Sequence, residues 1–198
     1  MCIDFNMKIE FIIPTYNRPD NLMMILYSLK SQTSDKWSVH VVADAPYDGY
    51  EEVKNHFSGD DRFRFSELNG PHGDWGHTAR NYGLSKSQEE WVVMSGDDNY
   101  YVPVFVEEFL SAATISPDIN FVYCNMVHNY TDNQYIPMVS RPVTNWIDIG
   151  NFMTKRQYSK QMRLDTSKVD ADGRFAEEYI QKFKGKTAHI KKFLYVHN

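Results

Sequence analysis

Asp97 and Asp98 stand side by side directly after an apolar run, in the stretch VVMSGDDNYY. Adjacent carboxylates repel each other, so a fold that places both at a strand end supplies compensation from water, a turn or a cation. A divalent ion held by carboxylate oxygens is the compensation that carries chemistry, because it also neutralises an anionic group on a substrate. Gly-Asp-Asp-Asn equally suits an ordinary turn. A second set of carboxylates, Asp170, Asp172, Glu177 and Glu178, lies in VDADGRFAEEYI. Phe175, Tyr179, Ile180 and Phe183 share one helical face, which starts a helix near residue 174. Asp172 then sits just before the first turn, where a carboxylate can act as a general base or be no more than a cap. Glu177 is the alternative base, and Glu178 is expected to face solvent.

The elements that must position these groups alternate. KIEFIIP (residues 8–14) is a short apolar run stopped by proline, hence a buried strand. DNLMMILYSLKSQ (20–32) has Leu22, Ile25, Leu26 and Leu29 on one helical face, with Asp20 as the expected N-cap. SVHVVAD (38–44) reads as a strand, residues 51–57 as a short helix, RFRFSEL (62–68) as a strand, and GPHGDWG (70–76) as a loop. HTARNYGLSKS (77–87) is the next helix and EWVVMSG (90–96) the next strand. Pro103 suits the first turn of a helix carrying Phe105, Phe109, Leu110 and Ala113. NFVYCNMV (120–127) is a further strand, and TDNQ (131–134) the turn of a hairpin.

Strands alternating with helices imply an α/β fold with a mostly parallel central sheet, helices on both faces and a small antiparallel hairpin. Ligands of such sheets sit at the carboxyl ends of the strands. Thr15-Tyr16-Asn17-Arg18 follow the first strand there, Asp44 closes the second, and Asp97-Asp98-Asn99 follow the fourth. Polar and acidic groups therefore converge on one edge.

The chain has 198 residues, 42% of them hydrophobic and 15% aromatic, enough for one domain with a full core. A net charge of −5 argues against a nucleic-acid partner, which needs a basic face. Two cysteines, Cys2 and Cys124, make no metal or disulfide framework. No apolar run approaches the roughly 20 residues of a membrane span. The expectation is a soluble, cytoplasmic protein without a signal peptide or an integral membrane segment.

FIIPTYNRPDNLMMILYSLKSQT, VVADAP, GHTARNYGL and WVVMSGDDNYYVP resemble, in order and spacing, the inverting family 2 glycosyltransferases of the GT-A fold. The similarity is close over the first half of the chain and looser over the second. There VDADGRFAEEYI is similar to the catalytic acidic segment, and YVHN to the late histidine that completes the metal site in some members.

The resemblance implies one GT-A-like domain over residues 1–198, with a nucleotide-binding half (1–100) and an acceptor and catalytic half (101–198). It could equally be part of a longer polypeptide. The implied activity moves a sugar from a nucleotide-diphosphate donor, UDP-linked, to a hydroxyl of a glycan or other acceptor. Mn²⁺ or Mg²⁺ would be held by Asp98 and His197; for His197 the other reading is a terminal residue with no role. Pro14, Thr15, Tyr16, Arg18, Asp44, Arg80 and Asp97 are the implied donor-binding residues, and Asp172 the implied base. Two positions depart from the family's pattern. Ser95 stands where many members carry an acid, and Ala43-Asp44 where two acids are usual.

Arg80 reads otherwise as half of a surface ion pair, Trp146 as a core residue or, with Asp148, as a shaper of the acceptor side, and His72 and His77 as solvated loop residues or as lining of the donor pocket. A nucleotidyltransferase would need a glycine-rich basic loop after the first strand, and PTYNRPDN has no glycine. The GxGxxG of a dinucleotide oxidoreductase is absent from the same place. A non-catalytic nucleotide-sugar or carbohydrate-binding module is the remaining alternative.

Overall fold

Strand β1 (Ile9–Thr15) is buried along its whole length, as a run with almost no polar residue must be. Its side chains alternate between two cores: Ile9, Phe11 and Ile13 enter one, Ile12 the other. The structure is a computed structural model that describes residues 7–129 and 134–198.

The first half follows the strand–helix alternation. Helix α1 (Pro19–Lys30), β2 (Trp37–Ala43), α2 (Tyr50–Phe57), β3 (Phe63–Glu67), α3 (His77–Lys86) and β4 (Trp91–Met94) come in that order. Strands β3, β2, β1 and β4 lie side by side and are all parallel. The chain moves outward from β1 through β2 to β3, then returns to lay β4 on the other side of β1. The carboxyl ends of β1 and β4 therefore form a topological switch point, where an open parallel sheet has its crevice.

The second half adds β5 (Tyr100–Tyr101), α4 (Phe105–Ala113), β6 (Ile119–Asn129), β7 (Tyr135–Met138), β8 (Phe152–Lys155), α5 (Arg156–Ser159), α6 (Ala171–Phe183) and β9 (Lys186–His197). One nine-stranded sheet results, in the order β3-β2-β1-β4-β8-β6-β9-β5, with β7 paired to β6. Its antiparallel part extends beyond the expected hairpin, because β8 runs antiparallel to both neighbours and β5 to β9. Strands β6 and β7 form the hairpin; residues 131–133 of its expected turn lie outside the described residues. Helices α1, α2 and α4 cover one face through Leu22, Leu26, Val53, Phe57, Phe105 and Phe109. Helices α3 and α6 cover the other through Leu84, Phe175 and Tyr179.

Several helix starts differ from expectation. Arg18, not Asp20, is the N-cap of α1, because Pro19 takes the first helical position and moves the start back. Pro103 lies two residues ahead of α4. Helix α6 begins at Ala171, so Asp172 is inside its first turn and Asp170 is the N-cap residue.

Candidate active site

The strand ends meet at a cavity of about 470 Å³. Thr15, at the end of β1, donates its hydroxyl to Asp97 Oδ2 at 2.8 Å, bridging the switch point between β1 and β4. Tyr47 lies 3.0 Å from the same Thr15 oxygen, and because that hydroxyl proton is already given to Asp97, Tyr47 is the donor. Burial raises the pKa of Asp97, and the Thr15 bond and Arg18 partly offset it.

The compensation for the aspartate pair is a guanidinium. Arg18 Nη1 stands 2.7 Å from Asp98 Oδ2 and 3.3 Å from Asp97 Oδ1. Arg18 reaches them from the loop between β1 and α1, where Asn17 takes a left-handed φ of 55°. Asn198 Nδ2 donates to the Asp98 carbonyl at 2.6 Å and so ties the end of β9 to this loop.

Asp44 is buried at the end of β2, and both its oxygens accept from His72: Oδ1 from Nδ1 at 2.6 Å, Oδ2 from the backbone N–H at 2.8 Å. His72 is thus a partner of the expected base-reading carboxylate. Arg80 is not a surface ion pair. It is buried, donating Nε to the Ser95 carbonyl at 2.9 Å and Nη1 to the Trp75 carbonyl at 2.7 Å, and it borders the cavity. Gly76 permits this, since its φ of 80° starts α3 in the left-handed region and a Cβ there would strike Pro14 at 2.9 Å. His77 is buried as well; its Nε2–H donates to the Lys168 carbonyl at 3.0 Å, and burial and the Arg80 charge lower its pKa. Ser95 is fully buried under the cavity floor, which leaves no solvated room for the acid usual at that position.

The residue whose role the sequence left least visible is Asp148. It lies buried on the cavity wall between β7 and β8. Its Oδ1 accepts from Tyr195 Oη at 2.5 Å and from the Gly150 N–H at 2.8 Å, and its Oδ2 faces His197 Nε2 at 3.1 Å. Burial works against its charge, but these bonds outweigh burial and hold its pKa well below the carboxylate range. Burial likewise opposes the charged form of His197, yet the Asp148 bond raises its pKa. Gly150 is required here: a Cβ would meet Tyr195 Oη at 2.5 Å. His197 is not a loose end, since it pairs with His128 in register on β6, and the two rings stack 4.5 Å apart.

Pro14, Thr15, Tyr16, Arg18, Asp44, Arg80, Asp97, Asp98 and His197 thus all border one cavity. Asp172 is not among its lining residues. It stands beside it at the start of α6, its pKa raised to about 6 by burial and by the Asp148 charge. Its Oδ1 accepts the N–H of the adjacent Gly173 at 2.7 Å, a donor of the first turn that the helix itself leaves unpaired, while the N-cap residue Asp170 makes no side-chain cap. Glu177 is engaged elsewhere, accepting the Thr144 N–H at 2.7 Å, and Glu178 is exposed. Trp146 is 45% exposed and so no core residue.

Among the described residues, no three His, Cys, Asp or Glu side chains are grouped closely enough to hold a metal ion. The donor set still suits one whose shell a ligand completes: Asp98 offers oxygen, and His197 keeps a buried Nδ1 without a hydrogen-bond partner while Asp148 orients its other nitrogen. No helix among the described residues is long and apolar enough to cross a membrane.

The fold is that of GT-A-type glycosyltransferases, which solved structures share over nearly the whole chain. S. aureus TarS in complex with UDP matches 96% of this chain and 60% of its own, with a TM-score of 0.79 and 16% identity. The mannosyltransferase PcManGT from Pyrobaculum calidifontis, in complex with GDP-Man and Mn²⁺, matches 96% of this chain and 56% of its own, with a TM-score of 0.72 and 18% identity. The model of Glycosyl transferase family 2 matches residues 10–176, and the chain belongs to that family. A Haemophilus influenzae protein described as an uncharacterized glycosyltransferase is 27% identical over 139 residues, which is 68% of this chain and 44% of the relative. The chain therefore spans about half the length of such relatives.

Proposed function

We propose that this domain transfers a sugar from a UDP-linked donor to a hydroxyl of a glycan or other acceptor, with inversion at the anomeric carbon. The observation that carries the reading is the convergence of Asp44, Arg80, Asp97, Asp98 and His197 on one cavity at the switch point of a family 2 domain. UDP in TarS and GDP-Man in PcManGT support a nucleotide donor in such a crevice. In this reading residues 1–100 hold the donor and residues 101–198 present the acceptor and the base.

Asp44 accepts the N3–H of uracil with a lone pair that His72 leaves free. Tyr16, 43% exposed, packs on the base. Pro14 and Thr15 line the nucleoside side, and Asp97 accepts from ribose or sugar hydroxyls. Arg18 and Arg80 bring positive charge to the diphosphate. Asp98 and His197 would hold Mn²⁺ or Mg²⁺, the Mn²⁺ of PcManGT supporting the first. When bound, such an ion supplies charge that offsets the leaving diphosphate.

Asp172 takes the proton of the acceptor hydroxyl as its oxygen forms the new bond to the anomeric carbon. The bond to the diphosphate breaks with its electron pair on the phosphate oxygen. A carboxylate tuned to about 6 suits this work near neutral pH. The test is calorimetric titration of UDP with and without Mn²⁺, followed by a donor-hydrolysis assay. Binding and hydrolysis are expected; a chain that binds UDP yet never cleaves a UDP-sugar is a binding module.

A further inference from the structure

Arg141 and Trp146 bracket a tight loop between β7 and β8. Arg141 N donates to the Trp146 carbonyl at 3.0 Å, Trp146 N to the Val143 carbonyl at 3.0 Å, and Val143 N to the Arg141 carbonyl at 2.7 Å. Asn145 takes a φ of 68° to close the turn. The loop is pinned to α6 twice. Thr144 N donates to Glu177 Oε1 at 2.7 Å, and a Cβ on Gly173 would come within 2.6 Å of the Thr144 Cα. Asp172 is the neighbour of Gly173, and Asp148, two residues beyond Trp146, borders the cavity. The loop is thus a rigid bracket joining the helix that carries Asp172 to the wall of the donor cavity.

What the bracket displays has no use inside the molecule. Trp146 stays 45% exposed although the Arg141 guanidinium lies over its ring, 5.1 Å from the centroid. Arg141 is itself exposed and has no carboxylate partner among the described residues. Val143 beside them is 41% exposed. An indole face takes the apolar face of a sugar ring. A guanidinium stacked on that indole is held in one plane and presents a fork that matches carboxylate or phosphate.

We propose that Arg141 and Trp146 form an acceptor subsite for sugar chains that carry anionic groups. Trp146 stacks on a ring of the acceptor, Arg141 pairs with a carboxylate or phosphate on it, and the bracket sets the hydroxyl next to be modified toward Asp172. The proposal rests on the glycosyl-transfer reading and names its acceptor class.

The experiment titrates three probes into the whole chain with UDP and Mn²⁺ present: a hyaluronan oligosaccharide for carboxylates, an oligosaccharide carrying mannose 6-phosphate for phosphates, and a chitin oligosaccharide as neutral control. At least one anionic probe is expected to bind about tenfold or more tightly than chitin, and added salt should weaken it. Which one binds identifies the anion. Arg141→Gln and Trp146→Ala are each expected to lower that affinity about tenfold while UDP affinity stays at the wild-type value. If Trp146→Ala does not fold, Trp146→Phe and Arg141→Gln decide the matter. The subsite is overturned if neither anionic probe binds, if chitin binds as well, or if folded variants bind like wild type. Failure of UDP to bind the wild-type chain would sink the donor reading by itself, and the order of the three probes would still be read.

Discussion

Strand β1 carries a carboxylate at each end of its neighbourhood, and the two ends are built in opposite ways. At its start Glu10 is 2% exposed and fully enclosed by Arg64 and by the backbone N–H groups of Gln88 and Glu89. Its partners are fixed and none borders the crevice. At the other end Asp97, Asp98 and Asp148 are held by side chains that themselves line or flank the crevice, and Asp172 stands beside them. There the environments pull the acids apart: Asp148 is driven to stay charged, while Asp172 is raised to about 6. A carboxylate tied to backbone donors locks α3 to the sheet. Carboxylates driven to different affinities for the proton divide acid–base work among themselves.

The strongest way to break this contrast is Asp172→Asn. Turnover is expected to fall by about 10²–10⁴-fold while UDP binding persists and the melting temperature near neutral pH does not fall, since the buried charge is removed. Near wild-type transfer by this variant, alongside a folded but inactive Glu177→Gln, would move the base to Glu177. Asp98→Ala should weaken Mn²⁺-dependent UDP binding on the order of 100-fold; unchanged calorimetric affinity would return the aspartate pair to a turn. Glu10→Ala should act on the fold alone, lowering stability by about 2–3 kcal/mol in urea unfolding through unpaired buried N–H groups, with Arg64 partly relieved by solvent. A large loss of UDP affinity without loss of stability would erase the distinction between the two ends.

The proton itself sharpens the comparison. Asp172 binds its proton more tightly folded than unfolded, so its contribution to stability is present at low pH and falls as pH rises from about 4 through about 6. Turnover should rise over the upper part of that window, where the base becomes charged. A turnover profile flat over about one unit either side of pH 6, with chemistry rate-limiting, would remove Asp172 from the reaction. The smallest effect expected is nucleotide choice: UDP over CDP by roughly 1–3 kcal/mol, since cytosine offers Asp44 no N3–H. A clear preference for GDP in competition would place some other group against the base.

The parallel half of the sheet and the cavity residues that follow its strands were legible in the sequence because the signals are local. An apolar run ends, a polar loop begins, and the edge they share is dictated by the fold class. Strands β8 and β9 were not legible as partners of β6, because FMTK is too short for a period and KTAHIKKFLYVH alternates poorly. Asp148 was noticed only beside Trp146. Its importance comes from Tyr195 and His197, which reach it through the sheet, and Gly150 was the one nearby sign of that close approach. Trp146 was mistaken for core because composition does not say which large aromatics a loop leaves outside. His77 was taken for a solvated loop residue, yet it is buried at the start of α3, where Arg80, read as a donor-binding residue, borders the cavity.

Arg18 gives the crevice one further property. With its guanidinium across Asp97 and Asp98, the aspartate pair already has a cationic partner before anything enters. A lone cation must evict the arginine, and a lone diphosphate must lure it from two carboxylates. A ligand that arrives with both charges lets every partner change hands at once, as in a double displacement between two salts. Neither half of such a ligand is a good key to this lock, and the pair together is.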